Sequence, residues 1–92
     1  MIDSFKHRGL KRLYELGDES RINPQHLAKI RDILSVLDVT KEIEAMNLAT
    51  FRLHPLTGNL DGFWSITVRA NWRLIFRFDN GKASDVDLID YH

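Results

Sequence analysis

From Thr50 onward the chain alternates between apolar and polar residues, and a period of two belongs to the β-strand. Phe51 and Leu53 point one way, Arg52 and His54 the other. Trp64, Ile66 and Val68 share a face, against Phe63, Ser65, Thr67 and Arg69. Trp72, Leu74, Phe76 and Phe78 share another, against Arg73, Ile75 and Arg77. Asp79-Asn80-Gly81-Lys82 signals a hairpin, because Asn-Gly tolerates the positive φ angles of a tight turn. A last strand is expected over roughly Ser84 to Asp90, with Val86 and Leu88 inward and Ile89 and Tyr91 outward.

The first half of the chain has a different period. Ile2 to Phe5 suits a short first strand. Lys6 to Leu16 reads as a helix, with Leu10, Leu13, Tyr14 and Leu16 as the candidates for one side and Gly17 placed to end it with a left-handed residue. Asp18 to Ile22 is polar and reads as a loop. A second helix starts at Asn23, whose side chain can cap free backbone N–H groups. Pro24 follows at the first helical position, where a missing N–H costs nothing. Leu27, Ile30, Ile33, Leu34 and Leu37 then recur at helical spacing. A short helical turn is expected between Lys41 and Met46.

Two helices followed by an antiparallel sheet form an α+β layer plan in one domain, residues 1–92. The helices can cover one sheet face only, and an antiparallel sheet tolerates a solvated second face. A domain this small buries roughly 60–65% of its unfolded surface, so chemistry belongs on an open groove. Cysteine is absent, which removes disulfides and thiolate nucleophiles and fits a cytoplasmic protein. Neither a signal peptide nor a stretch of transmembrane length is legible.

Net charge is zero, with 13 basic and 13 acidic residues, which argues against a protein that captures free nucleic acid by bulk charge. The distribution is uneven. Residues 62–78 hold Arg69, Arg73 and Arg77 and no acid. Strand parity sends Arg52, His54, Arg69, Arg73, Arg77 and Tyr91 to the face away from the helices, a plausible phosphate-binding surface. The alternative is that these arginines solubilise an exposed sheet. Lys6, Arg8, Lys11 and Arg12 form a second basic cluster, for which a solvated mixed surface is the competing reading. His7 and His26 read as surface residues.

His54, Asp90, Tyr91 and His92 are the candidates for chemistry. Two histidines, a tyrosine and a carboxylate suit phosphodiester cleavage in RNA, which needs a base for the 2′-hydroxyl, an acid for the leaving 5′-oxygen and a cation for the phosphate. Histidine fits because its unperturbed pKa of about 6.5 lies near working pH. No metal-ligand spacing such as His-x-x-x-His occurs, so neither a metal nor another cofactor is expected.

Three segments together carry a family resemblance: Phe51-Arg52-Leu53-His54-Pro55-Leu56-Thr57-Gly58, Gly62-Phe63-Trp64-Ser65-Ile66-Thr67-Val68-Arg69-Ala70-Asn71-Trp72-Arg73, and Asp90-Tyr91-His92. With Ser4-Phe5-Lys6-His7-Arg8-Gly9-Leu10 they make nearly the whole chain resemble HigB-type toxins. These belong to the RelE/ParE superfamily of toxin–antitoxin systems, also known as plasmid-maintenance killer proteins. The resemblance implies a RelE-like RNase fold, two N-terminal helices packed on one face of a curved antiparallel sheet. It implies a type II toxin that enters the A site of the 70S ribosome, cleaves the mRNA there and inhibits translation without a metal. It implies a HigA-like helix-turn-helix antitoxin, with operator DNA bound only through the toxin–antitoxin complex. His54, Asp90, Tyr91 and His92 match the family's catalytic positions, and Arg73 matches a phosphate-contacting arginine. Lys6, Arg8, Lys11, Arg12 and Arg21 become candidates for docking on ribosomal RNA. A ParE-like module that binds DNA gyrase is the alternative on the same fold, but it leaves His54 and Asp90-Tyr91-His92 without a role.

Overall fold

Local signals set both helices. In a computed structural model, which describes residues 1–91, α1 spans Arg8–Leu16 and α2 spans Pro24–Val39. His7 caps α1: its Nδ1 accepts from the Leu10 N–H at 3.1 Å. Gly17 closes α1 at φ 70°, a left-handed angle that glycine adopts without a Cβ clash. The Asn23 Oδ1 accepts from the Gln25 N–H at 2.9 Å, with Pro24 first in the helix. A 3₁₀ turn, Ile43–Met46, follows. No helix among the described residues is long and apolar enough to cross a membrane.

Four strands follow: β1 (His54–Pro55), β2 (Trp64–Arg69), β3 (Trp72–Asp79) and β4 (Lys82–Asp90). They pair antiparallel in the order β1-β2-β3-β4. The inner face carries Ile66, Leu74, Phe76 and Val86, all fully buried, against Leu10, Ile30, Ile33 and Leu37 of the helices. This is the α+β plan expected from the period change near Thr50. Met46 and Phe51 close the core, and the Lys29 ammonium fastens the segment before β1 by donating to the Thr50 carbonyl at 2.8 Å.

The structure departs from the strand parity in three places. First, the outer face is not bare. Leu56, Phe63 and Ile75 form a second apolar cluster with Leu60 and Ile89, because the loop from Leu56 to Phe63 folds back across the sheet. The Leu56 N–H donates to the Phe63 carbonyl at 2.9 Å and a 3₁₀ turn, Gly58–Leu60, tightens the bend. Second, the register shifts between Thr67 and Arg69, so Arg69 pairs with Trp72. Direct antiparallel partners project on one face, which puts Arg69 on the helix side and not with Arg73. Third, the register shifts again between Ile75 and Arg77. Asp85, at φ 51°, is an extra residue opposite this shift, and its carboxylate lies 3.6 Å from the Arg77 guanidinium. The outer face therefore does carry an acid beside Arg77, supplied by β4 from beyond the acid-free run 62–78.

Two further expectations are corrected. Ile2 to Phe5 is not a full strand. It makes isolated parallel bridges, Ile2 to Ala83 and Phe5 to Val86, along the free edge of β4. His26 is not a surface residue: it is buried, its ring centroid 5.5 Å from that of Trp72. It sits on the first turn of α2, and that turn lies over the end of β3.

Arg77 also fixes the loop. Its guanidinium carbon lies 4.3 Å from the Phe63 ring centroid, a cation–π contact. A Cβ on Gly62 would come within 2.6 Å of its Nη1, and Gly62 holds φ 92°. Gly62→Ala is therefore expected to lower stability by about 1–3 kcal/mol, the cost of a side chain at a strained left-handed angle. Urea titration reads this directly, and an unchanged midpoint would show that the loop relaxes freely.

Candidate active site

The sequence candidates converge at the end of the sheet that carries the β2–β3 turn. His54 pairs with Ser65, and Thr67 pairs with Arg73. Partners share a face, and so do residues two apart on one strand, so all four project outward together. Arg73 also pairs with Ile89 of β4. Two residues later Tyr91 reaches the same face, held where its N–H donates to the Asn71 carbonyl at 2.8 Å.

These side chains line an open groove of about 540 Å³, together with Arg52, Leu56 and Ala70. Arg52 takes a left-handed backbone angle, φ 53°, between buried Phe51 and half-buried Leu53, both packed in the core. The flanking anchors leave the Arg52 side chain exposed. The Arg73 Nη1 donates to the Ala70 carbonyl at 2.6 Å and to the Trp72 carbonyl at 3.4 Å. Its guanidinium is thus braced by the turn before any ligand arrives. Tyr91 is 47% exposed and offers an aromatic wall.

Two cations line the groove, and no carboxylate lines it among the described residues. Such a surface favours an anion. A larger hollow of about 870 Å³ lies at the other end of β3, between the end of α2 and the β3–β4 turn. Asp38, Glu42, Glu44 and Asp79 rim it beside Lys41 and Lys82, so acidic side chains outnumber basic ones there and it suits a phosphate less well. Charge, not size, separates the two.

The remaining candidates lie elsewhere. Asp90 pairs with Trp72 and so shares the helix side of the sheet. Arg69 is on that side too. Arg77 is outward but engaged with Phe63 and Asp85. His92 lies outside the described residues. Arg8, Lys11, Arg12 and Arg21 gather around a shallow depression beside Glu15 and Leu16, while Lys6 stands apart, its ammonium 5.9 Å from the Phe63 ring centroid. Asp18 pairs with Arg12 at 2.8 Å and moderates this patch. Hydrogen bonds from Ser20, then the Arg12 guanidinium, hold the Asp18 carboxyl well below the usual carboxylate range. Among the described residues no three histidine, aspartate or glutamate side chains cluster as metal ligands would.

Ser65 and Thr67 were not singled out in the sequence. Both are outward positions of β2, but only the register shows that one adjoins His54 and the other Arg73.

Comparison with known proteins agrees with the fold and with the resemblance. Residues 3–92 match the model of a family described as the RelE-like toxin of type II toxin-antitoxin system HigB. Endoribonuclease HigB of Proteus vulgaris is 49% identical over 92 residues, covering 100% of both chains. Among solved structures, the YoeB-YefM complex from Staphylococcus aureus superposes with a TM-score of 0.59 at 18% identity, over 100% of this chain and 98% of that one. A mutant of YafQ from E. coli gives 0.58 at 17%, over 92% and 86%. At such low identity these two speak for the fold alone. The family match and the full-length relative go further: this chain belongs to the HigB family of RelE-like toxins of type II toxin–antitoxin systems.

Proposed function

We propose that this toxin is a cytoplasmic endoribonuclease that cleaves mRNA in the A site of the 70S ribosome and so stops translation. The observation that carries the reading is the groove itself: His54, Arg52, Arg73 and Tyr91 meet on one face with no acid among its described lining residues. The 49%-identical relative is named an endoribonuclease. The 2′-oxygen attacks phosphorus, the P–O5′ bond breaks, and a 2′,3′-cyclic phosphate and a 5′-hydroxyl result. One histidine, His54 or His92, takes the 2′-hydroxyl proton and the other protonates the leaving 5′-oxygen. Arg73, braced by the turn, neutralises the phosphate, and Arg52 binds the neighbouring backbone. Tyr91 stacks on a base or donates a hydrogen bond. Asp90, on the far side of the strand, acts through His92 by orienting it.

An open groove and a zero net charge suit a substrate delivered by a larger assembly. Arg8, Lys11, Arg12 and Arg21, and separately Lys6, dock on ribosomal RNA through phosphate contacts, which position without reading sequence. A HigA-like antitoxin neutralises the toxin, and operator DNA is bound only through that complex. A YoeB-YefM pair on the same fold supports such a partner.

Toe-printing of translating ribosomes with purified toxin tests the reading. New mRNA ends within the A-site codon are expected, and in cells methionine incorporation should fall before thymidine incorporation. Intact mRNA with DNA synthesis stopping first would favour a gyrase-binding toxin instead.

A further inference from the structure

The strand order adds two residues to the proposed chemistry. β2 lies between β1 and β3, so it separates His54 from Arg73. Neighbouring strands are about 4.8 Å apart, which sets the backbones carrying these two residues roughly 10 Å apart. A phosphodiester gripped from both sides therefore lies over β2. The outward residues of β2 at that point are Ser65, opposite His54, and Thr67, opposite Arg73.

Both carry hydroxyls. Ser65 is only 4% exposed, and the other buried residues of this face are Leu56, Phe63 and Ile75, all apolar. A serine in that setting is unfavourable unless its hydroxyl finds a partner. Neither hydroxyl is bonded to another described residue. No fully enclosed side-chain polar atom lacks a partner among the described residues, so the Ser65 Oγ opens into the groove that it lines. The two hydroxyls form a floor of free donors between a histidine and an arginine.

We propose that Ser65 and Thr67 are further catalytic residues, whose hydroxyls donate hydrogen bonds to the non-bridging oxygens of the scissile phosphate. This rests on the RNA-cleavage reading above. Substrate desolvates the groove as it enters, and donors already fixed on the inner strand β2 meet the phosphate charge as it grows. Arg73 supplies the charge, and the hydroxyls fix which oxygens face it.

The test uses the full-length toxin on ribosomes programmed with a short mRNA, in single turnover. The scissile linkage carries either oxygen or a single sulfur at each non-bridging position. Thr67→Val keeps shape and removes the hydroxyl, Ser65→Ala removes the other, and Thr67→Ser restores one. Each loss is expected to slow cleavage on the order of 10- to 100-fold, the range for one hydrogen bond to a charged group. Sulfur accepts hydrogen bonds poorly, so the parent should show a rate penalty at one sulfur position. That penalty should shrink in Thr67→Val or Ser65→Ala and return in Thr67→Ser. It is a ratio within one variant, so a partly folded preparation leaves it readable. Parent-like rates in both variants, or slower rates with an unchanged sulfur penalty, overturn the proposal. A parent that cuts no mRNA overturns the cleavage reading and this inference together.

Discussion

Arg73→Ala is expected to cut mRNA about 10²–10³-fold more slowly than the parent, equivalent to about 2.7–4 kcal/mol of transition-state stabilisation. The guanidinium is held by the Ala70 and Trp72 carbonyls, so its placement costs nothing when the phosphate arrives. Removing it leaves those carbonyls at an open turn where water replaces the lost donor, and the fold should survive. His54→Ala and His92→Ala should each lose about 10²–10⁴-fold, the usual contribution of a general acid or base. Single-turnover cleavage on ribosomes gives the rates, and thermal melting gives the control. A folded Arg73→Ala protein that cuts within a few-fold of the parent would remove Arg73 from the chemistry. The same result for both histidine variants would sink the acid–base reading altogether.

Phe76→Ala should fail by the opposite route. Phe76 is fully buried on the inner strand β3, in the layer between sheet and helices. Truncation of such a ring costs about 3–5 kcal/mol, part from lost transfer energy and part from the cavity left behind. A domain of this size is typically stable by about 5–15 kcal/mol, so the loss is a large share of the whole. Urea unfolding should show a much lower midpoint with a similar slope. Any remaining folded protein should still cleave, because Phe76 faces away from the groove. A variant that unfolds like the parent would reverse the inner and outer faces of β3, and Arg73 would then be the buried residue.

Much of this architecture is legible in the chain. The change of period near Thr50 separates helices from sheet. Asn23-Pro24 and Gly17 place two helix ends, because caps are local chemistry. The parity of Trp72, Leu74 and Phe76 names the inner face of β3, and His54, Arg73 and Tyr91 fall on the groove side as their parity demands.

Parity fails where the ladder slips. A single extra residue sends every later side chain to the other face. That is why Arg69, outward by counting from Ile66, pairs with Trp72, and why Ser84, inward by counting from Val86, pairs with outward Arg77. Counting along one strand cannot detect a bulge, since the shift is defined only against the partner strand. The same limit hides the apolar cover of the outer face. Leu56, Leu60 and Phe63 show no period, and only the closed loop reveals that they pack on Ile75 and Ile89.

What the sequence alone determined is therefore what depends on near neighbours: helix caps, strand period, the hairpin turn, and the residue types able to move protons or hold a phosphate. What only the tertiary structure decided is which of those residues meet. Ser65 beside His54, Thr67 beside Arg73, Asp90 turned toward Trp72 and His26 buried against the same ring all follow from register and packing between distant segments. Register is fixed by the sum of cross-strand pairs and the burial of one whole face, a property of the assembled sheet that no single stretch of the chain contains.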